Sequence, residues 1–184
     1  LISASKAFSF PGPRCAIAII SPHINEKKYT NLKKFCDREQ FGHAFSLGGL
    51  YVTTSGTSHT AQYGLAKMLE AATNGEFNFI EITSEYGRRA EKVKEIFLKY
   101  GFEQVYKKDM DETVGNGFYL TMSYPGYGGN ELMLELLRYV ISTITLKSTG
   151  SVRHEGLRVC ISFIGLDEMP KLENKLKKFM EDHK

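Results

Sequence analysis

Side chains suited to an aldehyde and to a phosphate stand close together at the start of this chain. The run Ser3-Ala4-Ser5-Lys6 places two hydroxyls beside a primary amine, and Arg14 follows eight residues after the lysine. A lysine amine can bond covalently to an aldehyde once it has lost its proton, whereas an arginine does not lose its proton in proteins. The planar guanidinium of an arginine suits a phosphate, and serine hydroxyls add neutral donors. Gly12 is expected to let the chain turn closely between the lysine and the arginine.

The same run resembles the cofactor-lysine motif of the class I/II, fold-type I, pyridoxal-phosphate aminotransferases. In that family a Ser-x-Ser-Lys run carries the lysine that forms a Schiff base with the cofactor aldehyde, and a later arginine grips the cofactor phosphate. The resemblance implies that Lys6 is the catalytic lysine and that it binds pyridoxal 5'-phosphate together with Ser3, Ser5 and Arg14. Cys15 departs from the pattern, because the family generally has an aliphatic residue there, but a thiol is also small and apolar.

The resemblance further implies that the chain is the C-terminal part of such an enzyme, beginning just before the cofactor lysine. In the family, an acidic residue at the pyridine nitrogen, a tyrosine at the ring oxygen and a glycine-rich turn at the phosphate all precede that lysine. We therefore expect the chain alone to be catalytically inactive. The complete protein is expected to transfer an amino group between an amino acid and a 2-oxo acid, and to be a homodimer like most of the family.

A second candidate binding residue lies near the other end of the chain. Arg158 opens an otherwise apolar run, 157–161, and resembles the arginine of the family's C-terminal Gly-x-Arg strand, which binds the substrate α-carboxylate. Every amino-acid substrate presents a carboxylate, and a guanidinium binds it through two parallel hydrogen bonds. Arg153 in the preceding loop is the competing candidate, and an arginine that reaches solvent from a strand end is the structural alternative. The loop at 148–155 lacks the proline that many relatives have, and we expect it to be mobile.

Other functions remain open at this point. A C–S lyase or an acyl-CoA condensing enzyme of the same fold type would carry the same lysine. An aminotransferase-like sensor domain in a transcription regulator would do so without catalysing a reaction. Products formed from a panel of amino acids would separate the enzymes, and a basic DNA-binding segment elsewhere in the protein would indicate the regulator. The amino acid that is used cannot be inferred from these residues.

Composition limits the other classes of function. The 184 residues are 42% hydrophobic and 24% charged with a net charge of +3, which is typical of a globular protein. The lysines form no long basic block, so nucleic-acid binding is not predicted. The apolar runs are too short to cross a bilayer, so no membrane partner is predicted. The five histidines lack ligand spacing, and no metal site is predicted.

The cysteines favour a reducing compartment. Cys15, Cys36 and Cys160 are odd in number, widely spaced and without a Cys-x-x-Cys pair. We therefore predict free thiols and a cytoplasmic protein, with Cys15 and Cys160 buried in apolar runs.

The hydrophobic pattern predicts an α/β chain in two parts. Residues 15–21 are continuously apolar, which predicts a strand buried on both faces, as in a parallel sheet, and apolar surface that favours association where it is uncovered. Residues 1–76 are assigned to the C-terminal remnant of the large cofactor-binding domain, and residues 77–184 to an α+β small C-terminal domain with helices packed on a small sheet. We predict helices at 28–39 and 85–100, two helices that end near 73 and 139, and a last helix that begins near 167. Residues 45–60, rich in Gly, Ser and Thr, are predicted to form an irregular loop, and Asn74-Gly75 is expected to end the helix before it. The later strands are predicted at 104–107, 118–124, 141–146 and 157–163.

Helical spacing also predicts which side chains of the last four helices are buried. These are Ala61, Leu65, Met68, Leu69 and Ala72; Ala90, Val93, Ile96, Phe97 and Tyr100; Leu132, Leu136, Leu137 and Val140; and Met169, Leu172, Leu176, Phe179 and Met180.

Overall fold

The first compact unit of the chain spans Leu1–Phe79 in the computed structural model, which describes residues 1–183. Its strands and helices are, in order, β1 (Ile2–Ser3), α1 (Ala4–Ala7), β2 (Ala16–Ile17), α2 (Pro22–Glu26), α3 (Lys33–Cys36), α4 (Phe41–His43), α5 (Val52–Thr54) and α6 (His59–Thr73). A 3-10 turn spans Thr30–Leu32, and a π-helical segment spans Ala44–Tyr51. The predicted loop at 45–60 is therefore partly helical, and the predicted helix at 28–39 is broken into short turns.

The long helix of this unit, α6, packs against the segment that holds the candidate lysine. Its apolar side chains recur every three or four residues, which places them on one face of the helix. Buried Ala61 and Leu65 from this face form a small core with Ala4 and Cys15. The helix ends just before Gly75, whose φ of +76° lies in the left-handed region that favours glycine. Both the apolar face and the stop were predicted.

The prediction of a buried strand over 15–21 is wrong in length and in burial. Only Ala16–Ile17 form a strand, and the side chain of Ile19 is 76% exposed. A continuous apolar run becomes a doubly buried strand only between neighbours in a parallel sheet. Among residues 1–183, the partner of β2 is β1 alone, and the pairing is antiparallel.

The second compact unit begins at Ile80. Its elements are α7 (Phe79–Lys99), β3 (Glu103–Gln104), β4 (Lys108–Asp109), β5 (Glu112–Thr113), β6 (Tyr119–Ser123), α8 (Gly129–Arg138), β7 (Ile144–Thr145), β8 (Leu157–Cys160) and α9 (Met169–Asp182), with 3-10 turns at Lys147–Thr149 and Leu166–Glu168. α7 begins six residues before the predicted helix at 85–100 and ends one residue before its predicted end, and Gly101 follows with a φ of +85°. No helix within residues 1–183 is long and apolar enough to cross a membrane.

An antiparallel sheet with the order β3-β6-β8-β7 forms the centre of this unit, and β4 and β5 pair separately as a hairpin. Side chains alternate between the two faces of a strand. In the two central strands one face is buried, with Leu120, Met122, Leu157 and Val159 in the core. The other face carries the remaining residues of both strands and is half-buried or exposed. Cys160 lies on this open face and is exposed, so the prediction that it is buried is wrong, whereas Cys15 is buried as predicted.

Helices α7, α8 and α9 close the core over the buried face of the sheet. They contribute Ala90, Val93, Ile96, Phe97, Leu132, Leu136, Met169, Leu176 and Phe179. These residues follow helical spacing, and the predicted mixture of helices with a small sheet is confirmed. Leu137 and Val140, which the same spacing placed in the core, are 46% and 77% exposed. Leu137 lies within α8 but directly follows the buried Leu136, and successive residues of a helix do not share one face. Val140 lies beyond the end of α8 at Arg138 and adopts a positive φ of 58°, so the helical register does not reach it.

Candidate functional site

A hairpin at the start of the chain brings the predicted cofactor residues together. β1 and β2 pair in antiparallel register with Ser3 opposite Ala16, and the N–H of Ala4 donates to the carbonyl of Cys15 at 3.1 Å. Residues 4–15 therefore form a loop whose two ends lie side by side. The residues just after β1 therefore lie beside those just before β2.

Lys6 lies in α1, the single helical turn that follows β1. Ala4 is fully buried at the start of this turn, and its carbonyl accepts hydrogen bonds from the N–H groups of Phe8 at 3.2 Å and Phe10 at 3.0 Å. The backbone under Lys6 is therefore anchored by burial and hydrogen bonds, while the lysine itself is exposed.

Arg14 lies two residues before β2, and its side chain extends toward the residues that follow β1. Its Nη1 donates to the carbonyl of Pro11 at 2.9 Å and to the Oγ of Ser5 at 3.3 Å. Its backbone adopts a φ of +55°, a left-handed conformation that is uncommon for a residue other than glycine. The strained turn thus directs a guanidinium toward a hydroxyl that neighbours Lys6 in the chain.

The donor set of the hairpin fits a phosphate that is attached to an aldehyde. A guanidinium and a serine hydroxyl lie within hydrogen-bond distance of each other, which allows one phosphate to accept from both. The next residue along the chain is a lysine, whose primary amine is the group that bonds to aldehydes. Ser3 adds a second hydroxyl at the end of β1.

Gly12 lies in the turn at residues 11–14, as expected, but this turn does not use the conformational freedom of glycine. The φ of Gly12 is not positive, and a Cβ at this position would meet no atom within 4 Å. The left-handed residues of the hairpin are Ser9, with a φ of +48°, and Arg14. The chain therefore reverses at residues that carry side chains, and glycine is not required where the sequence predicted it.

The second candidate residue, Arg158, lies in the centre of the sheet of the second unit. In β8 it is paired with Thr121 of β6 on one side and with Ile144 of β7 on the other. Its chain neighbours Leu157 and Val159 point into the core. Alternation therefore places the side chain of Arg158 on the open face of the sheet, where it is half-buried.

Two solved aminotransferases are similar to this chain in structure. α-Aminoadipate aminotransferase LysN from Thermus thermophilus, in complex with N-(5'-phosphopyridoxyl)-L-leucine, matches with a TM-score of 0.55 and 10% identity, over 72% of this chain and 33% of its own. Aspartate aminotransferase from Thermotoga maritima matches with a TM-score of 0.57 and 15% identity, over 78% of this chain and 34% of its own. No family model matches the sequence, and no curated protein does.

This chain has an aminotransferase-like fold. It spans about a third of the length of the aminotransferases that it matches. In this aminotransferase-like chain, the candidate residues form two separate groups. Ser3, Ser5, Lys6 and Arg14 share the hairpin of the first unit, whereas Arg158 belongs to the sheet of the second.

The competing arginine of the aminotransferase-like chain, Arg153, already has a carboxylate partner. Its guanidinium lies 2.7 Å from Oε1 of Glu155, and both side chains are largely exposed. A hydrogen bond from the backbone N–H of Glu155 and the neighbouring Arg153 lower the pKa of that carboxyl. Arg153 is therefore occupied by a charge of its own loop. Two hydrogen bonds link the same loop to its surroundings, one between the hydroxyls of Tyr106 and Ser151, and one from the Ser151 N–H to the Leu146 carbonyl at 3.1 Å.

Sequence reasoning missed a tyrosine beside Arg158. The guanidinium carbon of Arg158 lies over the ring of Tyr119, 4.4 Å from its centroid. The Nε atom of Arg158 is buried and has no hydrogen-bond partner within the part of the chain that the structure describes. Tyr119 belongs to a strand that the sequence predicted. Its contact depends on the register of two strands about 40 residues apart, which no local pattern specifies.

Proposed function

We propose that this chain is the C-terminal part of a pyridoxal-phosphate-dependent aminotransferase that transfers an amino group between an amino acid and a 2-oxo acid. The observation that carries the proposal is the hairpin contact of Arg14 Nη1 with Ser5 Oγ at 3.3 Å, directly beside Lys6 in the chain. The aminotransferase-like fold supports it.

In this proposal, the hairpin holds the cofactor through the side chains of four residues. Pyridoxal 5'-phosphate supplies an aldehyde and an electron-withdrawing ring when bound. Arg14 binds the phosphate through its guanidinium, and Ser3 and Ser5 donate their hydroxyls to it. Lys6 attaches the cofactor covalently through Nζ. The freed Nζ would act as general base and acid, accepting the proton from the substrate α-carbon and donating it to the C4′ carbon of the cofactor.

Arg158 binds the α-carboxylate of the amino acid in this proposal. It is half-buried on the open sheet face, and the described residues place no carboxylate against it. A half-buried cation without a counter-charge attracts an anionic ligand more strongly than an exposed, paired arginine does. Arg153, with Glu155 at 2.7 Å, is the weaker candidate for the same role.

The organisation of the complete protein belongs to the same proposal. We assign residues 1–76 to the large cofactor-binding domain and residues 77–184 to the small domain. The complete protein is proposed to be a cytoplasmic homodimer.

The test is an absorbance titration of the complete protein with pyridoxal 5'-phosphate, followed by L-leucine, L-aspartate and L-2-aminoadipate. The expected result is a visible band of attached cofactor that bleaches with one of these amino acids and returns with a 2-oxo acid. Lys6→Ala is expected to abolish covalent attachment, measured by mass after borohydride reduction. Lys67→Ala, which removes an exposed lysine of α6, is the matched control and is expected to retain attachment.

The outcomes also separate the alternatives. Covalent attachment that survives Lys6→Ala would refute the assignment of the lysine. Attachment without the bleaching cycle would leave the lysine in place and favour a lyase, a condensing enzyme or a sensor domain over a transaminase.

A further inference from the structure

The ring of Tyr119 occupies a position from which it can orient Arg158. In the register of β6 and β8, Thr121 lies opposite Arg158 and Tyr119 lies opposite Cys160. Tyr119 and Arg158 are therefore diagonal neighbours on the open face of the sheet. Diagonal neighbours are within reach of long and aromatic side chains, and the 4.4 Å between ring centroid and guanidinium carbon is a close cation–π contact.

Arg158 differs in its partner from the other arginines of this unit. Arg88 and Arg89 pair with Glu85, Arg138 pairs with Glu135, and Arg153 pairs with Glu155. In residues 80–183, Arg158 has an aromatic ring where these arginines have a carboxylate. A carboxylate partner fixes an arginine but neutralises it. A ring attracts the cation through its quadrupole and leaves the full charge for another anion.

The burial of Arg158 adds to this restriction. Its Nε is covered without a hydrogen-bond partner among the described residues. The ring lies against one side of the guanidinium. The covered Nε leaves the two Nη atoms as the ends available for a pair of parallel hydrogen bonds, which is the arrangement that a carboxylate accepts.

We propose that Tyr119 is a positioning residue: its ring holds the guanidinium of Arg158 ready for the α-carboxylate of the amino-acid substrate without neutralising it. The inference rests on the proposed function of Arg158. The proposed role requires an aromatic ring at position 119, so phenylalanine is expected to preserve it and an aliphatic residue is expected to lose it.

The experiment compares two substrates of the complete enzyme that differ only in the carboxylate. The amino acid of the leucine, aspartate and aminoadipate panel that is turned over fastest is measured against the amine that lacks only its α-carboxylate; for L-leucine this is 3-methylbutylamine. The readout is the ratio of the two kcat/KM values. General damage to the fold lowers both values and leaves their ratio unchanged, whereas a lost carboxylate contact lowers only the first.

The variants have graded expected effects. Arg158→Gln is expected to lower the ratio by about 100-fold, because two charge-assisted hydrogen bonds are lost. Tyr119→Leu is expected to lower it by about tenfold, mainly through a higher KM for the amino acid. Tyr119→Phe is expected to stay within about twofold of the wild type, since the ring is retained. Tyr63→Leu, which removes an exposed tyrosine of α6, is the control and is expected to leave the ratio unchanged.

Two results overturn the inference in different ways. A loss with Arg158→Gln but not with Tyr119→Leu would remove the role of the tyrosine and keep the proposed function. A ratio unaffected by Arg158→Gln would remove both. Tyr119→Phe keeps the inference testable if Tyr119→Leu does not fold, because a phenylalanine variant that behaves like Arg158→Gln would exclude positioning by the ring.

Discussion

The two units of the chain support their candidate residues with hydrophobic cores of very different size. In the first unit, the hairpin with Lys6 and Arg14 rests on four buried residues, Ala4, Cys15, Ala61 and Leu65. In the second, the strand with Arg158 rests on a core of 17 buried residues from a sheet and three helices. The larger core binds its strand far more firmly than the small core binds the hairpin, because burial of apolar surface is the main stabilising term.

The comparison teaches how each unit fixes its side chains. Hydrogen bonds across a short loop and two left-handed residues hold the hairpin in place. The strand is held from below by Leu157 and Val159 in the core and from both sides by neighbouring strands. Both units leave large apolar side chains exposed, such as Phe35 at 86% in the first and Phe163 at 98% in the second, so the difference between the units lies in the size of the buried core.

The largest expected effect is on the free energy of unfolding, and it comes from making the same leucine-to-alanine substitution in each of the two cores. Leu176 of α9 is fully buried and Leu65 of α6 is 4% exposed. We expect Leu176→Ala to lower the free energy of unfolding of its unit by about 4 kcal/mol, and Leu65→Ala by about 2 kcal/mol, since a small core collapses more readily around the lost atoms. Amide hydrogen exchange in α9 and in α6 measures each unit separately. Equal losses in both units would contradict the difference proposed between their cores.

A smaller effect is expected from added volume. A Cβ on Gly129 would lie 2.6 Å from the carbonyl oxygen of His154 and 2.9 Å from that of Gly156. Because both atoms are backbone, Gly129→Ala is expected to cost about 1–3 kcal/mol in urea unfolding. Gly12→Ala in the hairpin meets open space at a φ that is not positive, and is the control, expected to cost about 0.5 kcal/mol or less. If Gly129→Ala left the free energy of unfolding unchanged, the backbone of the loop before β8 would have moved aside at no cost, which would contradict this prediction.

The smallest effect concerns acid. Hydrogen bonds from Lys99 and Tyr100 lower the pKa of Glu173 below its ordinary value of 4.5. A lowered pKa stabilises the fold above that ordinary value, and the contribution is lost as the pH falls below 4.5 through the folded-state pKa. Glu173→Gln is therefore expected to lower the melting temperature at pH 7 slightly, and the difference from the wild type is expected to shrink as the pH falls below 4.5. Thermal unfolding over a series of pH values from 7 downward tests this, with Glu112→Gln on the exposed β4–β5 hairpin as the control; a difference that grows as the pH falls below 4.5 contradicts it.

Local patterns in the sequence predicted the elements that repeat over many residues. The apolar faces of α6, α7 and α9 were predicted because helical spacing persists for several turns. The prediction of a long buried strand at 15–21 was wrong because an apolar run does not reveal which strands lie on either side of it. The predicted burial of Val140 was wrong because this residue adopts a left-handed backbone conformation beyond the end of α8. Because the residue is not a glycine, nothing in the sequence indicated that conformation.

The candidate site shows the same limit. Lys6 and Arg14 are only eight residues apart with a turn between them, so the sequence alone predicts that they share one loop. The turn includes Gly12, but its left-handed residues are Ser9 and Arg14, which the sequence did not indicate. Tyr119 reaches Arg158 only through strand register, and register depends on packing over the whole sheet.

At Arg14 the backbone conformation and the side chain favour different residues. Glycine would adopt this φ of +55° without the roughly 1–2 kcal/mol that other residues lose there, but glycine has no guanidinium. If Arg14 binds the cofactor phosphate as proposed, selection for heat resistance alone would favour glycine at this position, whereas selection for cofactor binding would keep the arginine. The residue recovered at position 14 after laboratory evolution would then show which of the two selections acted on it.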